Sequence, residues 1–311
     1  MTKSFLAPVL APALAIALLL FAPIGVGQTA APIIPAPPSL SSGGYLLMDV
    51  ATGTKLVEFN ADEKLPPASL TKIMTSYIAA VELQRGTINE EDQVAISVKA
   101  WQMEGSRMFI QEGTKVGLMD LLRGVIIQSG NDASVAVAEH IAGGEDSFAA
   151  LMNQHAEQLG MTSSSFVNAT GLPDDSHYTT ASDLALLTAA LIRQFPEHYS
   201  IYAEKYFTYN DIRQSNRNRL LWEDDTVDGV KTGHTQAAGY CLVSSADRAG
   251  LRLVAVVMGA ESEAARVQDS RKLLTYGFRF FETAQLYDAG EPVKKLRLWG
   301  GVENAISVGL P

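Results

Sequence analysis

Strand-forming sequence stands at both ends of this chain, and a long stretch of helical periodicity separates the two. Near the start, Tyr45-Leu46-Leu47-Met48-Asp49-Val50 and Lys55-Leu56-Val57-Glu58-Phe59 flank Ala51-Thr52-Gly53-Thr54, a hairpin signal. Far downstream, apolar strand runs recur at 227–231, 240–244 and 253–258. Between them, helical spacing of apolar residues covers 119–127, 133–141, 148–159 and 182–192. Strands so separated bury their faces by joining one sheet, with the helices inserted between. The pattern predicts an α+β fold rather than a doubly wound one. A helix is expected to begin near Ser69, after Pro66-Pro67, with Ile73, Tyr77, Ile78 and Val81 on its apolar face. A last helix is expected over 263–281, with a stripe of Leu273, Leu274, Phe278 and Phe281, then a short strand over 293–299.

Composition narrows the function classes. The 311 residues are 47% hydrophobic and 19% charged, which excludes a disordered chain and supplies one large core plus a smaller piece. Acidic residues outnumber basic ones, 34 to 24, and no basic run stands out, so a nucleic-acid surface is not expected. The lone Cys241 excludes an internal disulfide framework and a multi-cysteine metal site. Its setting, Gly239-Tyr240-Cys241-Leu242-Val243, reads as a buried strand position without a chemical role. Five scattered histidines form no His-Glu-x-x-His pattern, so a zinc hydrolase is not indicated. No metal or organic cofactor is called for.

The N-terminus reads separately. Lys3 precedes an apolar run, 13–22, bounded by Pro12 and Pro23 and followed by small residues. The run is short for a bilayer span and fits a secretory signal, with an uncleaved anchor as the alternative. The expected division is a signal at 1–31, a Pro-, Ser- and Gly-rich linker at 32–44, a catalytic domain at 45–287 and the start of a further β domain at 288–311.

Three short motifs carry the chemistry. In Ser69-Leu70-Thr71-Lys72 the serine and lysine share a helix face, so the amine can reach the hydroxyl. A serine needs a base, and a lysine serves as one only when burial or nearby cations depress its pKa. Ser129-Gly130-Asn131 lies at a helix–helix junction, where a tight turn can aim a hydroxyl and an amide into one cleft. Lys231-Thr232-Gly233-His234 ends a strand whose edge can take an extended ligand, with a cation for a carboxylate. Each motif alone is unremarkable: an N-cap with an exposed lysine, an ordinary loop, a surface hairpin.

Together, in this order, they match the Ser-x-x-Lys, Ser-x-Asn, Lys-Thr-Gly signature of penicillin-recognising acyl-transfer enzymes. The surroundings agree: Pro67-Ala68-Ser69-Leu70-Thr71-Lys72-Ile73-Met74-Thr75, Gln128-Ser129-Gly130-Asn131-Asp132-Ala133, Arg217-Asn218-Arg219-Leu220-Leu221-Trp222, Asp228-Gly229-Val230-Lys231-Thr232-Gly233-His234-Thr235 and Tyr276-Gly277-Phe278-Arg279-Phe280-Phe281. Over about residues 40–311 the chain resembles the serine-type D-alanyl-D-alanine carboxypeptidases, the low-molecular-mass penicillin-binding proteins of bacterial envelopes. The resemblance implies a β-lactamase/transpeptidase-like fold, an antiparallel sheet flanked by helices with a helical subdomain. It implies Ser69 as nucleophile, Lys72 as base and Ser129 as proton relay. Asn131, Lys231, Thr232, Gly233, His234, Arg217 and Arg266 are the expected substrate-binding residues. Lys231 is expected to stay cationic for the substrate carboxylate while Lys72 is neutral. The implied partners are peptidoglycan stem peptides and, as covalent inhibitors, β-lactams. The implied location is the periplasm, with membrane-surface contact only in a full-length form, since no amphipathic tail follows Asp288 here.

Related activities compete. A D,D-endopeptidase uses the same machinery on crosslinks. A class A β-lactamase needs a deacylating glutamate with Leu-Asn three residues on, and none of Glu139, Glu145, Glu157 or Glu197 has that context. A silent wall-binding module is disfavoured by intact Ser69, Lys72, Ser129 and Lys231.

Overall fold

The computed structural model describes residues 1–2 and 34–309, so the expected signal segment lies outside the described residues apart from Met1 and Thr2. Strand β1 (Gly44–Asp49) and β2 (Lys55–Phe59) form the expected hairpin. Gly44, read from sequence as linker, already pairs within the sheet, and the hydroxyl of Ser42 donates to Asp269 at 2.7 Å. A 3₁₀ turn (Ala68–Leu70) leads into α1 (Thr71–Arg85). The helical region continues through β3 (Gln93–Ala95), α2 (Val98–Gln102), β4 (Lys115–Gly117), α3 (Leu118–Arg123), α4 (Asn131–Ala142), α5 (Glu145–Gln158), α6 (Ala181–Gln194) and α7 (Pro196–Tyr199). The small hairpin β5 (Tyr206–Tyr209) and β6 (Ile212–Ser215) and the short helix α8 (Leu220–Glu223) follow. The chain then returns to the main sheet with β7 (Val227–Thr235), β8 (Gly239–Arg248) and β9 (Leu251–Ala260), and α9 (Glu263–Phe280) covers one face. A last hairpin, β10 (Pro292–Arg297) with β11 (Ala305–Gly309), is exposed along its whole length.

The sheet is antiparallel in the order β2-β1-β9-β8-β7, so both chain ends do build it. Strand alternation sorts its side chains into two cores. Leu46, Met48, Val243, Val254, Val256 and Met258 join the helical core with Ile73, Tyr77, Ile78 and Val81. Tyr45, Leu47, Leu242, Leu253, Ala255 and Val257 face α9, where Leu273 and Leu274 are buried and Phe278 and Phe281 pack at the margin. Cys241 is buried in β8, and burial pushes its thiol up to about 11. The returning strands run longer than their apolar runs suggest, because their polar outer residues continue the ladder. The expected helix over 119–127 breaks after Arg123 into a π-type turn (Gly124–Gln128), which ends at Ser129 in the left-handed region, φ 64°. Such turns disturb the regular ladder and often sit at working sites.

Strand β7 is the sheet's edge at the end that meets the helical region. Gly233 makes close approach there: a Cβ on it would lie 3.0 Å from Pro67 O. The edge strand and the Ser69 turn thereby become opposite walls of one cleft.

Candidate active site

The cleft has a volume of about 660 Å³ and is lined by Ser69, Ser129, Arg217, Thr232, Gly233, His234 and Arg266, together with Ser106, Arg219 and Tyr240. Three stretches distant in sequence thus converge. Lys72, Asn131 and Lys231 lie behind this wall, all buried.

Lys72 is fully buried, and its Nζ has three neighbours: Ser69 Oγ at 3.1 Å, Asn131 Oδ1 at 2.7 Å and Thr170 O at 2.6 Å. The Asn131 amide is oriented by its other end, which donates from Nδ2 to Glu104 O at 2.6 Å. Burial lowers the lysine pKa to about 7, Arg217 adds to the lowering, and Asp132 opposes it. A neutral amine has two N–H donors and one lone pair. Thr170 O and the oriented Asn131 Oδ1 can only accept, so they take the two donors. The lone pair is left for the hydroxyl of Ser69. Such an arrangement can activate a hydroxyl without a histidine.

Residues that the sequence motifs did not flag hold Lys72 in place. Asn168 Oδ1 accepts from Thr170 N at 3.1 Å and Gly171 N at 2.7 Å, making a tight turn that presents the Thr170 carbonyl. Gly171 has φ +84°, and a Cβ there would come within 1.8 Å of Ala68 O, so the turn lies directly against the residue that precedes Ser69. On the opposite side, the buried Asp132 carboxylate accepts from the N–H groups of Met108, Phe109 and Ala133, each at 2.9 Å. It pins the segment that carries Glu104 and Ser106. Asn168 and Thr170 left no trace in the motifs because the decisive contact is a backbone carbonyl, which side-chain identity does not encode.

Ser129 Oγ is buried and has no hydrogen-bond partner among the described residues. Its place in the cleft is set by the left-handed backbone at the end of the π-type turn. Asn131, expected at the substrate amide, orients Lys72 through Oδ1 and donates one Nδ2 hydrogen to Glu104 O, which leaves its second amide N–H available. Arg217 stands on the rim between two buried asparagines. Asn216 Nδ2 donates to Glu204 O at 3.1 Å and Asn218 Nδ2 to Gly229 O at 2.7 Å, which fixes the backbone on both sides of the arginine. Arg266, which could have been an exposed helix residue, is buried, and its Nη1 donates to Gly233 O at 3.1 Å. His234 is exposed and stacks on Tyr240 with ring centroids 4.0 Å apart.

Lys231 departs from expectation. It does not reach the cleft wall: it is 2% exposed, and its Nζ donates to Thr232 O at 3.2 Å. Burial, then Lys72, Arg217 and Arg266, drive its pKa well below the ordinary lysine value. A lasting ammonium was expected here, but burial and the standing charges of Arg217 and Arg266 oppose one in the free protein, and Lys72 opposes it too whenever it is protonated. The same cations make the region favourable for an incoming carboxylate, which would raise the Lys231 pKa again.

Residues 31–262 match the D-alanyl-D-alanine carboxypeptidase family, peptidase S11. The chain is 47% identical over 279 residues to the D-alanyl-D-alanine carboxypeptidase DacC of Escherichia coli K12, covering 88% of this chain and 70% of that protein. It is similar to crystal structures of penicillin binding protein 5 from Haemophilus influenzae, at 44% identity and TM-score 0.87, over 89% of this chain and 82% of that one. The ampicillin-bound Penicillin-Binding Protein D2 of Listeria monocytogenes is similar at 29% identity and TM-score 0.72, over 78% of this chain and 100% of that one. The α+β fold is that of these penicillin-binding proteins. With the family match spanning most of the chain and the cleft assembled from its three motifs, the chain belongs to the peptidase S11 family of D-alanyl-D-alanine carboxypeptidases.

Proposed function

We propose that this chain removes the terminal D-alanine from peptidoglycan stem peptides through an acyl-enzyme on Ser69. The observation that carries the reading is the buried Lys72, whose two N–H donors are taken by Asn131 Oδ1 and Thr170 O and whose remaining neighbour is Ser69 Oγ. Ser69 Oγ attacks the carbonyl between the last two D-alanines as its proton passes to Lys72. The tetrahedral oxyanion is held by the backbone N–H groups of Ser69 and His234, a contribution typically worth about 100- to 1000-fold in rate per donor. Collapse expels D-alanine, whose amine takes the proton from Lys72 through Ser129. Water then hydrolyses the ester, and the proton cycle runs in reverse. The terminal carboxylate lies against Thr232, Arg217 and Arg266, within the field of Lys231, and Gly233 admits the peptide backbone to the β7 edge.

The working division is a signal at 1–31, a linker at 32–44, the catalytic domain at 45–287 and a further β segment from 288. Export to the periplasm accords with the N-terminal apolar run. No helix among the described residues is long and apolar enough to cross a membrane. β-Lactams are read as inhibitors that acylate the same serine.

The test is D-alanine release from a peptide ending in D-Ala-D-Ala, paired with intact-mass measurement after penicillin exposure. One D-alanine per peptide and one long-lived adduct, both lost in Ser69→Ala, are expected. Absence of both in the parent protein overturns the reading. Rapid decay of the adduct identifies a β-lactamase, and cleavage confined to crosslinked dimers identifies an endopeptidase.

A further inference from the structure

Behind the nucleophile, His177 joins two segments that the reaction needs in register. The residue is 3% exposed. Nδ1 accepts the N–H of Val167 at 3.1 Å, so the ring proton sits on Nε2, which donates to Thr71 Oγ1 at 2.8 Å. Thr71 is the first residue of α1, between the Ser69 turn and Lys72. Val167 immediately precedes the Asn168 turn that presents Thr170 O to Lys72. The Phe166 ring packs edge-on against the imidazole at 5.7 Å and fixes its plane. The charged groups that face the ring are Asp174 and Lys72; burial outweighs Asp174 and lowers the histidine pKa to about 4, so the ring is neutral wherever Lys72 can act as a base. Nothing in the motif pattern marks this histidine, and it does not line the cleft.

We propose that His177 is a positioning residue for acyl transfer: by holding Thr71 and Val167 at a fixed span, it keeps the Thr170 carbonyl on Lys72 and leaves the lysine lone pair for Ser69. The inference rests on the carboxypeptidase reading above. Without the strut, the turn at 168–171 loses an anchor to α1. Water then reaches Lys72, the burial that depresses its pKa weakens, and the third neighbour no longer dictates where the lone pair points.

Four variants test this. His177→Ala removes both links. His177→Asn keeps an acceptor near the Nδ1 position, and His177→Gln keeps a polar group within reach of Thr71. Thr71→Val removes only a hydroxyl. The readouts are kcat and KM for D-alanine release across the pH range, normalised to enzyme titrated with penicillin. His177→Ala and Thr71→Val are expected to lose about 10- to 100-fold in kcat, as a misplaced reacting group does. Their KM should stay within about threefold, and the acid limb should move up by about one pH unit as Lys72 regains solvent. The Asn and Gln variants should recover part of the loss. An unmoved acid limb in both, or a rise in KM with kcat intact, overturns the proposal. Should His177→Ala fail to fold, Thr71→Val decides, since it creates no cavity. If the parent protein releases no D-alanine, the carboxypeptidase reading fails first. The strut is then judged on the pH dependence of penicillin acylation at Ser69, where the same upward displacement is required.

Discussion

The two walls of the cleft differ in how much of their hydrogen-bonding capacity the protein itself uses. On the helical wall, Lys72 meets three partners, Asn131 is engaged at both ends, and the Asp132 carboxylate gathers three backbone N–H groups at 2.9 Å. On the strand wall, Lys231 donates to a neighbouring carbonyl, the buried Arg266 Nε has no partner among the described residues, and β7 is a sheet edge. Unmet buried polar atoms stand on both sides among the described residues, Arg266 Nε on the strand wall and Ser129 Oγ on the helical wall, and each costs about 1–3 kcal/mol unless something repays it. The comparison separates two tasks. On the function proposed above, the helical wall arranges Lys72 for proton transfer before substrate arrives, and the strand wall, together with Ser129 Oγ, keeps donors for a ligand.

The largest effect should come from spoiling the preset wall. Lys72→Arg keeps a cation and its donors but cannot become neutral, and kcat for D-alanine release should fall by about 10²- to 10⁴-fold. A variant within a few-fold of the parent would break the distinction between the walls. Next is backbone contact. Gly171→Ala combines a φ of +84° with a Cβ 1.8 Å from Ala68 O, and should cost about 2–4 kcal/mol in denaturant unfolding. Gly233→Ala, where the approach is 3.0 Å and no positive φ is needed, should cost less; the reverse order would show that the strand wall is the more rigid one.

Arg217 belongs to both walls in effect, and Arg217→Gln sharpens the comparison. It should weaken carboxylate substrates by about tenfold, as loss of a charge-assisted contact does. It should also move the acid limb of kcat/KM upward from its position near pH 7, because Arg217 is the cation that lowers Lys72. The sign follows from repulsion: with the guanidinium gone, the protonated lysine is better tolerated, its pKa rises, and less neutral base remains at pH 7. Lys231→Ala should move that limb less. The repulsion between the two amines is mutual, but it reaches Lys72 only to the extent that the buried Lys231, whose own pKa is driven down, carries a proton. The smallest effect belongs to Glu263→Gln. The Glu263 side chain is half exposed and 3.8 Å from Arg266, so its loss should change binding by less than about 1 kcal/mol, seen as a slight fall in KM.

How far these walls could be read from sequence follows the same division. Ser69 and Lys72 were legible because four residues of helix fix their geometry, and the edge strand was legible from its apolar alternation and its glycine. The sheet built from both chain ends followed from where the apolar runs fall. The hairpins at 93–117 and 206–215 were not foreseen, since strands of three or four residues carry too little periodicity to stand out. The support of Lys72 was hidden for another reason. Thr170 contributes a carbonyl from 98 residues away, and His177 acts through Thr71 and Val167, so neither has a residue-type signature. Lys231 was correctly assigned to the strand, with its cation expected to face a substrate carboxylate. Only packing reveals that its ammonium turns behind Thr232.

The single thiol of this chain has a practical consequence. Cys241 is sealed inside the sheet and is almost wholly in its unreactive form at neutral pH. A second cysteine placed on the cleft rim, for instance at Ser106, would therefore take an alkylating dye with no background labelling. Such a fluorophore would report antibiotic or peptide occupancy in real time, in a protein that needs no prior cysteine removal.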